Sequence, residues 1–248
     1  MGSAGTVLRA LEAVASAQPM GVSELARRLE ISKPAAQRAL LALAETGWIR
    51  RSEHQPGRWV LTVKVLEVAN QLGGELGLRD VARPAMLELV RATGEATHLS
   101  VLDGLDVVTI DEVESTQVVR IHWSIGTRGR AYATANGKAL LANLPASLLS
   151  RHIPDPLEAF TDTTITDLAK LHLELEEIRR RGYSVQRGEL RPDIASIAAC
   201  ICPAPDHPVA SLSIFMPIQR YPAEGAEELG RLVADAAAKI SAGLVGFQ

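Results

Sequence analysis

Residues 22–61, "VSELARRLEISKPAAQRALLALAETGWIRRSEHQPGRWVL", decide the fold. Val22, Leu25, Ala26 and Leu29 recur at helical spacing, and Arg27 and Arg28 fall outside that stripe. Ser23 is placed to cap this first helix, because its hydroxyl can accept an orphan amide proton of the first turn. Glu30-Ile31-Ser32 breaks the pattern. Pro34 suits the next first turn, where a missing amide proton costs nothing. The spacing predicts a second helix over 33–45, stopped before Gly47. Residues 48–51 and 58–61 then read as two strands, with turn chemistry at Ser52 and Pro56-Gly57 between them. Two short helices and a hairpin make a winged helix-turn-helix, a DNA reader.

The second helix has two unlike faces. Ala36, Ala39, Leu40 and Leu43 should pack on the first helix. The opposite arc carries Lys33, Pro34, Ala35, Gln37, Arg38 and Ala42. Small residues there allow close approach to a groove, Gln37 matches an adenine edge, and Arg38 or Lys33 matches a guanine or a phosphate. Ser23 and Ser32, at the two helix starts, join the same candidate surface. On the wing, Arg50, Arg51 and Arg58 are candidates for backbone phosphates, contacts that set position and salt dependence rather than sequence.

Charge divides along the chain. Residues 1–72 hold 9 Lys/Arg against 6 Asp/Glu, and residues 73–248 hold 17 against 23. A basic head on an acidic body fits a DNA-binding domain joined to a domain with another task. At 248 residues there is ample material for two domains. The two cysteines, Cys200 and Cys202, read as core residues of a reducing cytoplasm rather than a metal site. Arg9 and Glu12 interrupt the start, so no signal peptide is expected, and no uncharged apolar run approaches a membrane span. The six histidines show no metal spacing, no nucleophile elbow is present, and Gly137-Lys138 lacks the rest of a phosphate loop. No cofactor, metal, membrane contact or catalytic set is expected.

In order, residues 6–17 should form a helix with Val7, Leu8, Leu11, Val14 and Ala15 on one face. A linker helix is expected over 62–78, interrupted near Gly73-Gly74. A body then fills 79–248. It should open with a helix to residue 93 and continue with a hairpin over 96–113 about Asp103-Gly104 and a third strand over 118–123. Helices follow over 133–144 and 167–181, strands near 183–185, 197–202 and 209–215, and a closing helix over 222–244. The mixture predicts an α+β domain with an antiparallel sheet.

The head stretches "SELARRLEISKPAAQRALLALAETGWIRR" and "GRWVL" are matched in the body by "ARPAMLELVRATGEATHLSVLDG", "RAYATANGKALLANLP", "ELEEIRRRGYSVQRGE" and "IASIAACI…HPVASLSI". On these, the chain resembles the IclR family of bacterial transcriptional regulators over nearly its whole length. The resemblance implies a winged helix-turn-helix over 1–61, the linker helix, and a GAF/profilin-like effector-binding and oligomerisation domain over 79–248. It implies a homodimer or dimer of dimers on palindromic double-stranded operator DNA, since one short recognition helix reads few base pairs. The family's pocket maps onto Gly129, Ala135, Asn136, Gln186, Ser196, Ser213 and Phe215, with Ala135 and Asn136 at a helix start that suits a carboxylate.

This chain departs from members that sense small keto-acids. Gln186 replaces an acidic residue, Ser196 a cysteine and Phe215 a serine, and Met216 stands where glycine is common. A bulky aromatic in the pocket points to a larger acid or amide stacked on Phe215 and hydrogen-bonded through Gln186, Ser196 and Ser213. The expected function is a ligand-responsive repressor of a catabolic operon. Two rivals are an enzyme with a DNA-binding head, and a DNA-binding protein of this fold whose pocket is filled by Phe215 and Met216.

Overall fold

In the computed structural model, residues 3–69, 73–121, 123–222 and 224–245 are described. The chain divides into two units, Met1–Gly73 and Gly74–Gln248. The first comprises α1 (Ser3–Ser16), β1 (Met20–Gly21), α2 (Val22–Leu29), α3 (Lys33–Glu45), β2 (Ile49–Arg51), β3 (Arg58–Leu61) and α4 (Lys64–Ala69). The expected bounds of α3 hold. Ser32 caps it by accepting the Ala35 amide proton at 3.3 Å.

α2 starts differently. Met20 pairs with Trp59 and Gly21 with Arg58, so extended backbone runs up to Gly21, which becomes the cap. Ser23 therefore lies inside the first turn and caps nothing. Between the helices Glu30 takes a left-handed conformation (φ 55°), which returns the Ile31 amide to the Ala26 carbonyl at 2.9 Å. This one residue makes the tight turn.

Leu25, Leu29, Ala36, Leu40, Leu43, Ile49 and Trp59 share one buried cluster with Ala10, Ala13 and Val14 of α1. The expected α1 face is rotated: Leu8 is 61% exposed and Ala15 faces solvent. Small Ala10 and Ala13 give the closer approach, so they take the contact. No α4 residue is buried. The linker helix was expected over 62–78, and residues 70–72 of that span lie outside those described.

The second unit opens with α5 (Gly73–Thr93), which begins at the glycine pair expected to interrupt it. Two glycines cost a helix about 1 kcal/mol each; the buried stretch from Leu78 to Val90 offsets that. There follow β4 (Ala96–Asp103), β5 (Asp106–Val113), β6 (Arg128–Arg130), a 3-10 turn at Ala131–Ala133, α6 (Ala135–Asn143) and α7 (Ala146–Leu149). The chain ends with α8 (Leu168–Arg181), β7 (Ser184–Arg187), β8 (Ile194–Ile201), β9 (Ala210–Pro217) and α9 (Ala226–Leu244). The expected strand over 118–123 is irregular, with Val118 97% exposed. Its place beside β5 is taken by β6, through Val107–Gly129 and Val108–Arg128.

The sheet order is β6-β5-β4-β9-β8-β7, antiparallel throughout. Alternation sends Leu99, Ile197, Leu212 and Ile214 to a core shared with α5 and α9. The other face carries α6, with α8 outside it. α6 is buried nearly all round, and Gly137 must be glycine: a Cβ would lie 2.1 Å from the Ala131 carbonyl oxygen. Neither cysteine is fully buried. β8 ends at Ile201, so Cys202 already belongs to the turn, where its Sγ lies 3.0 Å from the Ala204 carbonyl oxygen.

Candidate DNA-binding surface and effector pocket

On the head, Ser32, Lys33, Pro34 and Arg38 are exposed on α3, and Ala35, Gln37 and Ala42 are half-buried on the same outer arc. Ser23 is exposed on α2. Arg50 and Arg51 are exposed on the wing. Arg50 donates to Glu53 at 2.9 Å, and the Arg51 guanidinium lies 3.9 Å from the centre of the Trp59 ring. Such pairs are weak in water, so both cations are available to a phosphate. Arg58 has another use. Its Nη1 donates to the Pro19 carbonyl at 2.6 Å and to Glu24 at 2.9 Å, which ties β3 to α2.

In the second unit a small cavity of about 30 Å³ opens on the face of the sheet that carries α6. β4 lends His98 and Ser100, β8 lends Ser196, and β9 lends Phe215. The start of α6 lends Ala135 and Asn136, and Gly129 of β6 lies beside them. Thr134 caps α6 by accepting the Gly137 amide proton at 3.1 Å, and the first amides of a helix have no partner within it. A carboxylate fits such a position.

One wall is aromatic. Phe215 meets His98 edge-on at 5.0 Å and Trp123 at 5.4 Å between ring centres. Asn136 donates to Ser100 Oγ at 3.1 Å, but its Oδ1 is buried without a hydrogen-bond partner. The same holds for His98 Nε2, with Glu112 Oε1 3.5 Å away. A buried polar atom without a hydrogen-bond partner costs about 1–3 kcal/mol, so the fold carries both at an expense.

Five of the seven expected pocket residues come together: Gly129, Ala135, Asn136, Ser196 and Phe215. Gln186 and Ser213 do not line the cavity. The Gln186 carboxamide accepts the Glu189 amide proton at 2.9 Å and donates to the Ile194 carbonyl, so it shapes the β7–β8 turn. Ser213 faces the same side of the sheet as Phe215 but lies buried between His98 and Ala198, its hydroxyl without a partner. Met216 is corrected too. Strand alternation turns it into the core under α5 and α9, away from the pocket.

The family model described as "Bacterial transcriptional regulator IclR C-terminal" matches residues 71–242, and "IclR helix-turn-helix domain" matches residues 4–53. The chain belongs to the IclR family. It is 31% identical to HTH-type transcriptional regulator BhcR of Paracoccus denitrificans over 94% of this chain and 84% of that one. It is 27% identical to transcriptional repressor IclR of Escherichia coli, over 97% and 89%. The IclR crystal structure from Thermotoga maritima matches with a TM-score of 0.80 at 30% identity, over 97% and 98% of the two chains. An IclR homologue from Microbacterium hydrocarbonoxydans, crystallised with 4-hydroxybenzoate, shares the fold with a TM-score of 0.83 at 24% identity, over 99% and 100%. These families and relatives are transcriptional regulators, so the enzyme reading falls.

As an IclR-family regulator, the chain reads DNA with its head. Sequence reasoning missed His98, Ser100, Trp123, Leu190 and Arg191 of the pocket wall. One signal was present: Thr97, His98 and Ser100 are polar residues in a strand otherwise fit for burial, and all three are at most 1% exposed. Trp123 and Arg191 lie on irregular segments, which no periodicity marks.

Proposed function

We propose that this IclR-family regulator represses a catabolic operon and is released from, or tightened on, its operator by a small aromatic carboxylic acid. The observation that carries the reading is the aromatic cluster of Phe215, Trp123 and His98 lining the same pocket as the start of α6. A ring stacks on the wall, the carboxylate meets the first amides of α6, and a polar substituent reaches His98 or Asn136. The 4-hydroxybenzoate complex of the structural homologue supports the same class of ligand. The protein acts in the cytoplasm as a dimer or dimer of dimers, each pair of heads reading two half-sites of a palindrome. The linker over residues 62–78 carries the change between pocket and head.

The test is retardation of the gene's own upstream DNA by the purified protein, repeated with benzoate, 4-hydroxybenzoate, phenylacetate, glyoxylate and pyruvate. An aromatic acid that shifts the DNA affinity, with keto-acids inert, supports the reading. A shift by the keto-acids alone overturns it.

A further inference from the structure

Lys138 is the second residue beyond Asn136 on α6, and it is 1% exposed. A buried ammonium is tolerated only when paired and hydrogen-bonded. Lys138 Nζ donates to Glu189 Oε1 at 2.5 Å and to the Val185 carbonyl at 2.9 Å. Around it α6 is alanine and leucine, so an apolar residue would have filled the position more simply. The charge sits there at a cost, and what it touches points to its use.

Glu189 lies in the turn between β7 and β8. Its neighbours Leu190 and Arg191, with Ile194 beyond, line the same pocket as the start of α6. The turn is held at both ends. Gly188 (φ 77°) donates its amide proton to the Ile194 carbonyl at 2.8 Å, and Gln186 accepts that of Glu189 at 2.9 Å. From outside, Thr161 donates to the Gly188 carbonyl and Thr164 to the Glu189 carbonyl, each at 2.6 Å. Those bonds fix the backbone of the turn to itself and to residues 161–164. Lys138–Glu189 is the side-chain bond that fixes it to α6.

We propose that Lys138 and Glu189 form a positioning pair that joins the two walls of the effector pocket. Through it, movement of the ligand-facing start of α6 is transmitted to Leu190 and Arg191, and the reverse. The pair touches no ligand itself. It sets the separation between the amides that receive a carboxylate and the wall that closes over the ring. This inference rests on the effector-pocket reading for its binding consequence, but not for its effect on the turn.

The test uses the full chain as wild type, Lys138→Met and Glu189→Gln, each checked for a cooperative thermal melt. Amide hydrogen exchange over 186–194 is measured without ligand, and binding and dissociation of 4-hydroxybenzoate are measured separately. Lys138→Met should speed exchange in 186–194 about tenfold while β9 stays protected, and speed dissociation by a similar factor. Glu189→Gln keeps the shape and an acceptor for Lys138, so it should fall between. If Lys138→Met does not fold, Glu189→Gln decides. Unchanged exchange across 186–194 in a folded variant overturns the proposal. Faster exchange confined to that turn in a protein that binds none of the acids supports the pair and rejects the aromatic-acid reading.

Discussion

Asn136 and Ser100 share one hydrogen bond, 3.1 Å from Nδ2 to Oγ, and it fixes the Asn136 carboxamide with its oxygen buried and unpaired. The side chain is thus held in a state that serves a ligand better than it serves the fold. Asn136→Ala should weaken binding of an aromatic acid about tenfold or more, while the melting temperature stays level or rises, because a buried orphan acceptor is removed. Calorimetric titration and a thermal melt on the same protein check both. A lower melting temperature with unchanged affinity would show that the residue is structural.

Phe215 sets the size and character of the pocket. Phe215→Ser removes its ring contacts with His98 and Trp123. Affinity for ring-bearing acids should fall roughly tenfold, since aromatic pairs contribute about 0.5–1.5 kcal/mol beyond burial. Short keto-acids should gain by comparison. An unaltered ligand profile across the panel would sink this assignment.

On the head, exposed Lys33 and internally bonded Arg58 should separate cleanly. Lys33→Ala should lower the slope of log affinity against log salt by about 1 if it neutralises one phosphate. Arg58→Ala should leave that slope intact and lower the stability of the head by about 1 kcal/mol, because the wing loses its tie to Pro19 and Glu24. Both follow from retardation assays over a salt series beside denaturant melts. A slope change for Arg58 without loss of stability would return it to the DNA surface.

Cys202 should be the reactive thiol. A hydrogen bond from Cys200 pulls its pKa down to about 6, while that same bond and burial push Cys200 far up. A thiol with a lowered pKa is thiolate above that value, so labelling of Cys202 by iodoacetamide should rise through pH 6 and level off by neutrality. Cys200 should resist labelling in the folded protein. Cys200→Ala should move the Cys202 curve back toward pH 9, and a wild-type midpoint already there would refute the coupling.

The head was legible because its signals are local. Pro34 and Ser32 mark the start of α3, and the spacing of Ala36, Ala39, Leu40 and Leu43 marks its inner face; both survive in three dimensions. Ser23 was misplaced because the cap of α2 is set by a strand pairing, Met20 with Trp59, that lies outside any local window. The pocket was half legible. Asn136 and Phe215 came through resemblance, and strand alternation then keeps Phe215 in and Met216 out. Gln186 looked like a ligand contact because its partner, the Glu189 amide, exists only once the turn has formed. Trp123 was hidden by an apolar run, Val118-Val119, that reads as a strand but finds no neighbouring strand to pair with.

β9, the last strand among the described residues, is hydrogen-bonded between β4 and β8. It is therefore the seam of the sensor domain, and it leaves the ribosome after every other strand. The head, complete within its own unit, is finished long before. A stop codon between Ile201 and Ala210 would release a DNA reader whose sheet is left in two unjoined halves, β6-β5-β4 and β8-β7. Genetically, such truncations should behave alike wherever they fall in that interval: blind to the effector, with sequence recognition still encoded upstream.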